Sequence, residues 1–157
     1  MALFERRRIR PAGDGFDLNL PIAERELLGS LPGQLVELLD ASADNLEDPA
    51  VARLFPDAYS AADSDLAAEY RRLMTDDLRE RHRVALETLA TGSHAEHVTA
   101  EDLYAWMTAL TQLRLVIGTR IGVTEDWGPD EDDPSAGVYS YLSWLQEQVV
   151  EALSSRM

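Results

Sequence analysis

Phe16, Leu18 and Leu20 alternate with Asp17 and Asn19, a period of two that predicts a half-buried strand. Upstream, Leu3 and Ile9 fall on one strand face and Arg6, Arg8 and Arg10 on the other, with turn residues Pro11 to Gly15 in between. Residues 3–20 are therefore expected as a β-hairpin. Its apolar face must lie on helices, because an isolated hairpin is marginal in water. From residue 21 the period becomes helical. Pro21 suits a first helical position, and Ile22, Leu27, Leu28, Leu31, Leu35, Leu38 and Leu39 follow at helical spacing. Gly29, Pro32 and Gly33 interrupt that run, so it reads as two short helices or one kinked helix.

Asp48-Pro49 opens a short helix through Leu54 and Phe55, which Pro56 ends. Leu66, Tyr70, Leu73 and Met74 give the next helix. Thr75, followed by Asp76 and Asp77, reads as the cap of another, carrying Leu78, His82, Ala85, Leu86 and Leu89 inward and stopping at Gly92. Thr99 with Asp102 resembles a capping box ahead of Leu103, Trp106, Met107, Leu110, Leu113, Ile117 and Ile121. Leu115 and Val116 widen that stripe, which predicts a central helix buried on more than one side. A last helix from about Ser135 points Val138, Tyr141, Leu142, Leu145, Val149 and Leu153 inward. The expected fold class is mainly α. It comprises one domain over 1–157: the hairpin at 3–20, a bundle of five or six helices over 21–157, and an acidic loop at 124–135 within it.

Composition narrows the chemistry. The chain has 157 residues, 29 acids, 14 basic residues and no cysteine, for a formal net charge of −15. Without cysteine there is no disulfide, thiolate zinc site, iron–sulfur cluster or thiol nucleophile within the chain. The net charge repels phosphodiester backbones at long range and argues against nucleic acid as a partner. No apolar run approaches a membrane span and no signal peptide opens the chain, so a cytoplasmic location is expected. All basic residues are arginine, and Arg6, Arg8 and Arg10 on the hairpin leave it locally positive. Their bland reading is a charged edge that blocks strand addition. Their functional reading is a contact for a protein partner, with Trp127 in the acidic loop as a second anchor.

Few constellations carry chemistry. His94 and His97 with Glu96 could ligate a metal, but no third strong ligand lies near in sequence, so no metal or other cofactor is expected. The acidic loop lacks the calcium-hand spacing. No nucleophile elbow, phosphate cradle or paired-carboxylate pocket is legible, so enzyme activity is not expected. His82 sits on the apolar face between Leu78 and Leu86, either as a hydrogen-bonded core histidine or as a pH sensor. Arg114 and Arg120, on the most buried helix, either pair with carboxylates or line an anion pocket. An alternative function is thus a small-molecule or anion-binding bundle built on Arg114, Arg120 and His82, including an enzyme. Another is direct DNA binding through Arg79, Arg81 and Arg83 with the hairpin as a wing. Gly118 and Gly122, or the Trp144 side of the last helix, could serve a homodimer.

Four segments together resemble a known family. They are the opening Phe4-Glu5-Arg6-Arg7 hairpin, the run Arg53 to Tyr59, the run Leu113 to Thr124 (LRLVIGTRIGVT) and the run Tyr141 to Glu147 (YLSWLQE). The chain is similar to an actinobacterial family long listed as a domain of unknown function, some of whose members carry the label oxidative-stress transcriptional regulator, AosR-like. The resemblance implies a regulatory protein that binds a partner in the transcription machinery, such as a sigma factor, with thiols as the redox sense. This chain has no cysteine, so only the binding part of that implication transfers to it.

Overall fold

A computed structural model describes residues 7–41, 49–52, 54, 65–120 and 134–156. Strands β1 (Ile9–Ala12) and β2 (Gly15–Leu18) form the expected hairpin, tighter than the sequence suggested. Pro11 and Ala12 belong to the strand and pair with Phe16 and Gly15, so only Gly13 and Asp14 turn. Gly13 has φ of 58°, which matches the first turn position of a two-residue hairpin and suits glycine. Ile9, Phe16, Leu18 and Leu20 are buried, as the alternation requires.

A third strand, β3 (His97–Val98), pairs antiparallel with β2 and makes β2 the centre of a three-stranded sheet. The sequence pattern predicts no element there. Two residues are too few to show a period, and the pairing is set by tertiary placement 80 residues away. Gly15 is needed where β2 meets β3: a Cβ there would lie 2.3 Å from the Val98 carbonyl oxygen.

Among the described residues the helical part comprises four long helices and one single turn, rather than a bundle of five or six. Helix α1 spans Ile22–Ala41, α2 is the turn Pro49–Ala52, α3 spans Asp65–Gly92, α4 spans Ala100–Arg120 and α5 spans Pro134–Ser154. The run interrupted by Pro32 resolves as one helix, and the break expected at Thr75 is absent. Helix α1 runs through Pro32, which is buried on the same face as Leu28, Leu35 and Leu39, so burial offsets the lost backbone hydrogen bond. Helix α3 runs through Thr75. Asp76 and Asp77 do not cap a new helix there but pair along the existing one with Arg79 (2.8 Å) and Arg81 (2.7 Å).

Helix α4 is central and touches the other four helices. Its capping box is formed: the Asp102 N–H donates to Thr99 Oγ1 and the Thr99 N–H donates to Asp102 Oδ2, both at 3.0 Å. Trp106, Leu103, Ala109 and Leu110 are fully enclosed. Gly92 lets α3 approach Trp106, since a Cβ there would lie 2.9 Å from the indole Nε1. Leu115 is exposed although Val116 is buried, because position 115 falls on the outer line of α4 with Tyr104, Thr108 and Thr111. The first half of α3 also presents Tyr70, Leu73 and Met74 outward. Among the described residues, no helix is long and apolar enough to cross a membrane.

Candidate functional site

Polar chemistry concentrates where the sheet meets the bundle. Arg8, expected on the outward face of the hairpin, has only 2% of its side chain exposed. Its guanidinium lies against Glu24 in the first turn of α1, with Nε 3.1 and 3.2 Å from the two carboxylate oxygens and Nη2 3.0 Å from Oε2. The same guanidinium stacks 5.1 Å over the Trp144 ring of α5. Tyr141, one helical turn before Trp144, donates its hydroxyl proton to Glu24 Oε1 at 2.7 Å. Burial, and then this bond to an anionic oxygen, push the Tyr141 hydroxyl pKa well above its usual value. Glu24 thus takes bonds from the hairpin and from α5 together, and also sits favourably at the positive end of the α1 dipole. The Arg8 backbone N–H adds a bond to Gln148 Oε1 at 3.1 Å.

Two further arginines complete the clamp without a carboxylate. Arg25 of α1 donates to four backbone carbonyls: Leu20 (2.9 Å), Ser93 (2.9 Å), Ala95 (2.7 Å) and Leu18 (3.4 Å). It ties the exit of the hairpin to the α3–β3 connection. Arg156, just past α5, donates to Gly13 O (2.9 Å) and Gly15 O (2.7 Å) and lies 5.0 Å over the Phe16 ring. A planar guanidinium with five donors suits this multi-point work, and a lysine ammonium could not reproduce it.

His82 marks a second polar point, inside the bundle. Its Nε2 lies 3.3 Å from the Leu54 carbonyl, and its Nδ1 meets the side-chain amide nitrogen of Gln112, a buried residue of α4. A carbonyl can only accept, so Nε2 carries the proton and Nδ1 accepts from Gln112. Burial lowers the His82 pKa, and the Leu54 bond opposes that in part. This arrangement holds a neutral imidazole.

Arg114 and Arg120 face different neighbours. Arg114 donates to Gln146 Oε1 and stacks 5.5 Å over Tyr139, both on α5, and meets no carboxylate among the described residues. It lines a shallow hollow of about 420 Å³ with Ser143, Gln146, Glu147, Val150 and Glu151. Arg120 borders a smaller hollow between α1 and α4, beside Leu31, Leu38 and Ile117. Among the described residues, His82, Arg114 and Arg120 therefore meet different neighbours, and Arg114 and Arg120 line different hollows. Arg10 is exposed on β1. Arg6 and Trp127 lie outside the described residues, as do Gly122 and most of the acidic loop. Arg79, Arg81 and Arg83 are engaged with Asp76, Asp77, and Asp40 with Glu80, respectively. His97 pairs at 2.8 Å with Asp17 across the β2–β3 ladder. Among the described residues, no group of three potential ligands could hold a metal.

Sequence reasoning missed Glu24, Arg25, Tyr141, Trp144 and Arg156 as a connected set. The available signal was the charge of Glu24 and Arg25 beside a run of buried leucines, which on one helix alone reads as a solvated face.

Comparison with known proteins adds a different kind of information. A family model described as "Domain of unknown function (DUF2017)" matches residues 6–153. Proteins named "Oxidative stress regulator AosR" from Mycobacterium tuberculosis and Mycobacterium bovis are 29% identical over 182 aligned positions, covering 90% of this chain and 83% of each relative. A "Putative oxidative stress regulator AosR" from Mycobacterium leprae is 29% identical over 136 positions, covering 71% of this chain and 61% of that relative. No solved structure matches the chain.

Proposed function

The chain belongs to the DUF2017 family, and from that premise we propose that it is a non-enzymatic regulatory protein of the oxidative-stress response that works by binding another protein. The observation that carries the reading is the similarity, over 90% of the chain, to proteins named as oxidative stress regulators. The acidic character of the chain adds to it. A formal charge of −15 favours a basic protein surface over DNA as the thing bound. A component of the transcription machinery, such as a sigma factor, fits that description. The arginine clamp supports a mechanical role: among the described residues its bonds tie the sheet to helices α1 and α5.

Cysteine is absent, so no thiol within this chain senses oxidant. In this reading the stress input comes through the partner or through the amount of protein made. The test is purification of the tagged protein from its native locus, with and without peroxide, followed by mass spectrometry. Stoichiometric recovery of a sigma factor or polymerase subunit, in equal yield under both conditions, is expected. Recovery of no specific protein would overturn the reading.

A further inference from the structure

The two edges of the sheet differ. Along an antiparallel ladder, bonded pairs alternate with pairs whose amides and carbonyls point away from the partner strand. The Asn19 N–H donates to Arg8 O at 2.8 Å, which fixes the alternation on β1 and turns the backbone of Ile9 and Pro11 outward. Pro11 has no N–H to offer, and Arg10 leaves a charge on that edge. Helix α5 also packs against β1. On the other edge, the Leu18 N–H donates to Glu96 O at 2.8 Å, so Asp17 and His97 form a non-bonded pair. The His97 N–H and carbonyl therefore face outward from β3, and no backbone group bonds them among the described residues.

A hollow of about 390 Å³ lies beside β3, lined also by the last turns of α3 and by the start of α4. Its lining is part apolar and part negative. Val84, 53% exposed, and Thr88 contribute the first part. Glu87 and Asp102 contribute the second, and among the described residues no arginine lines the hollow. Arg83, one turn before Glu87, is taken by Asp40 and Glu80 instead. Helix α3 ends here with no basic residue in its last turn, so its own side chains leave the negative end of its dipole uncompensated.

We propose that β3 and this hollow receive an extended basic segment of the partner protein, added to the sheet as a fourth strand beside His97. The inference rests on the reading of a basic protein partner given above and assigns that partner its point of attachment. The outward His97 pair supplies one donor and one acceptor to the backbone of the added strand. Alternate side chains of that strand reach the hollow. A lysine or arginine there brings its charge to Glu87 and Asp102 and lays its aliphatic stem along Val84. A second copy of the chain is a poor occupant. Pairing β3 with β3 brings two acidic hollows together, and the β1 edge is closed by Pro11 and α5.

The probe is a heptapeptide of alternating lysine and threonine with blocked ends, titrated to about 1 mM into the isotope-labelled full chain and followed by NMR. Shift changes should saturate and centre on residues 84–102, and exchange of the His97 amide should slow, because strand addition gives that N–H an acceptor. The same peptide with glutamate in place of lysine should leave the spectrum unchanged. Glu87→Lys, at an exposed helical position, should weaken the lysine peptide about ten-fold with an unchanged circular dichroism spectrum. Absence of saturable shifts overturns the proposal. So does binding that leaves the His97 amide unprotected, or that keeps full strength in Glu87→Lys. Purification from the native locus separates this inference from the functional reading beneath it. A partner recovered equally by the wild type and by Glu87→Lys leaves that reading standing and removes this site. A wild type that recovers no specific protein overturns both.

Discussion

Replacing Glu24 by alanine tests whether the junction of sheet and bundle is held by one buried carboxylate. The change removes the carboxylate that accepts three hydrogen bonds from the buried Arg8 guanidinium and one from the Tyr141 hydroxyl. Breaking a buried ion pair by removing one partner costs about 3–5 kcal/mol, because the remaining charge stays desolvated. The Glu24 side chain keeps 16% exposure, so water already screens its end of the pair, and the lower figure of about 3 kcal/mol applies. For a chain of this length a loss of that size lowers the melting temperature by roughly 6–12 °C. The assay is thermal and urea unfolding followed by circular dichroism. The double variant Arg8→Met with Glu24→Leu should recover most of the loss, because it removes both charges and fills the space with apolar atoms. A loss below about 1 kcal/mol for Glu24→Ala would place the pair with solvent-exposed bridges and refute the reasoning.

Three further outcomes are expected. Arg25→Lys cannot reach the four carbonyls that the guanidinium holds and should cost about 1–3 kcal/mol, with hydrogen exchange of amides 93–98 accelerating before the rest of the chain unfolds. Gly15→Ala forces a Cβ into the Val98 carbonyl and should cost about 1–3 kcal/mol, with loss of the β2–β3 cross-strand contacts by NMR while α4 stays intact. Burial holds the folded pKa of His82 below the ordinary 6.5 of a histidine, so the unfolded chain binds the extra proton first and stability falls as pH drops through 6.5, levelling off below the folded pKa. Melting temperatures of the wild type and His82→Gln, compared across that window, should differ in slope, and parallel curves would count against the neutral-imidazole assignment.

Local pattern carried much of the fold. The alternation at Phe16, Leu18 and Leu20, the Thr99–Asp102 box and the stripe of α5 are all short-range signals, and all three appear in the structure. Where the reading departed, a long-range term had outweighed a local one. Pro32 and Thr75 are breakers or caps worth a few kcal/mol at most, and they give way inside helices whose other residues are buried or paired. Strand β3 exists only because Gly15 admits Val98, which neither segment announces alone. The polar residues were hardest to place. Arg8 looked like a solvated strand position because alternation says which face a residue takes, not whether a helix later covers that face. Its partners lie 16 and 136 positions away, at Glu24 and Trp144. Arg114 and Arg120, six apart on α4, are about a third of a turn out of phase, and they meet different neighbours.

The reach of the clamp has a consequence for how the protein is made. The hairpin is made before α5, but Gly13 and Gly15 give their carbonyls to Arg156, and Arg8 waits for Gln148 and Trp144. Until the last helix is synthesised, Ile9, Phe16 and Leu18 have lost only part of their contact with water, and β1 remains a short arginine-bearing edge. Closure thus joins residues 140 to 143 positions apart, a long-range contact of the slow kind. A fused segment that holds Arg156 away should slow maturation more than it lowers final stability, while Arg10 keeps a charge on the β1 edge.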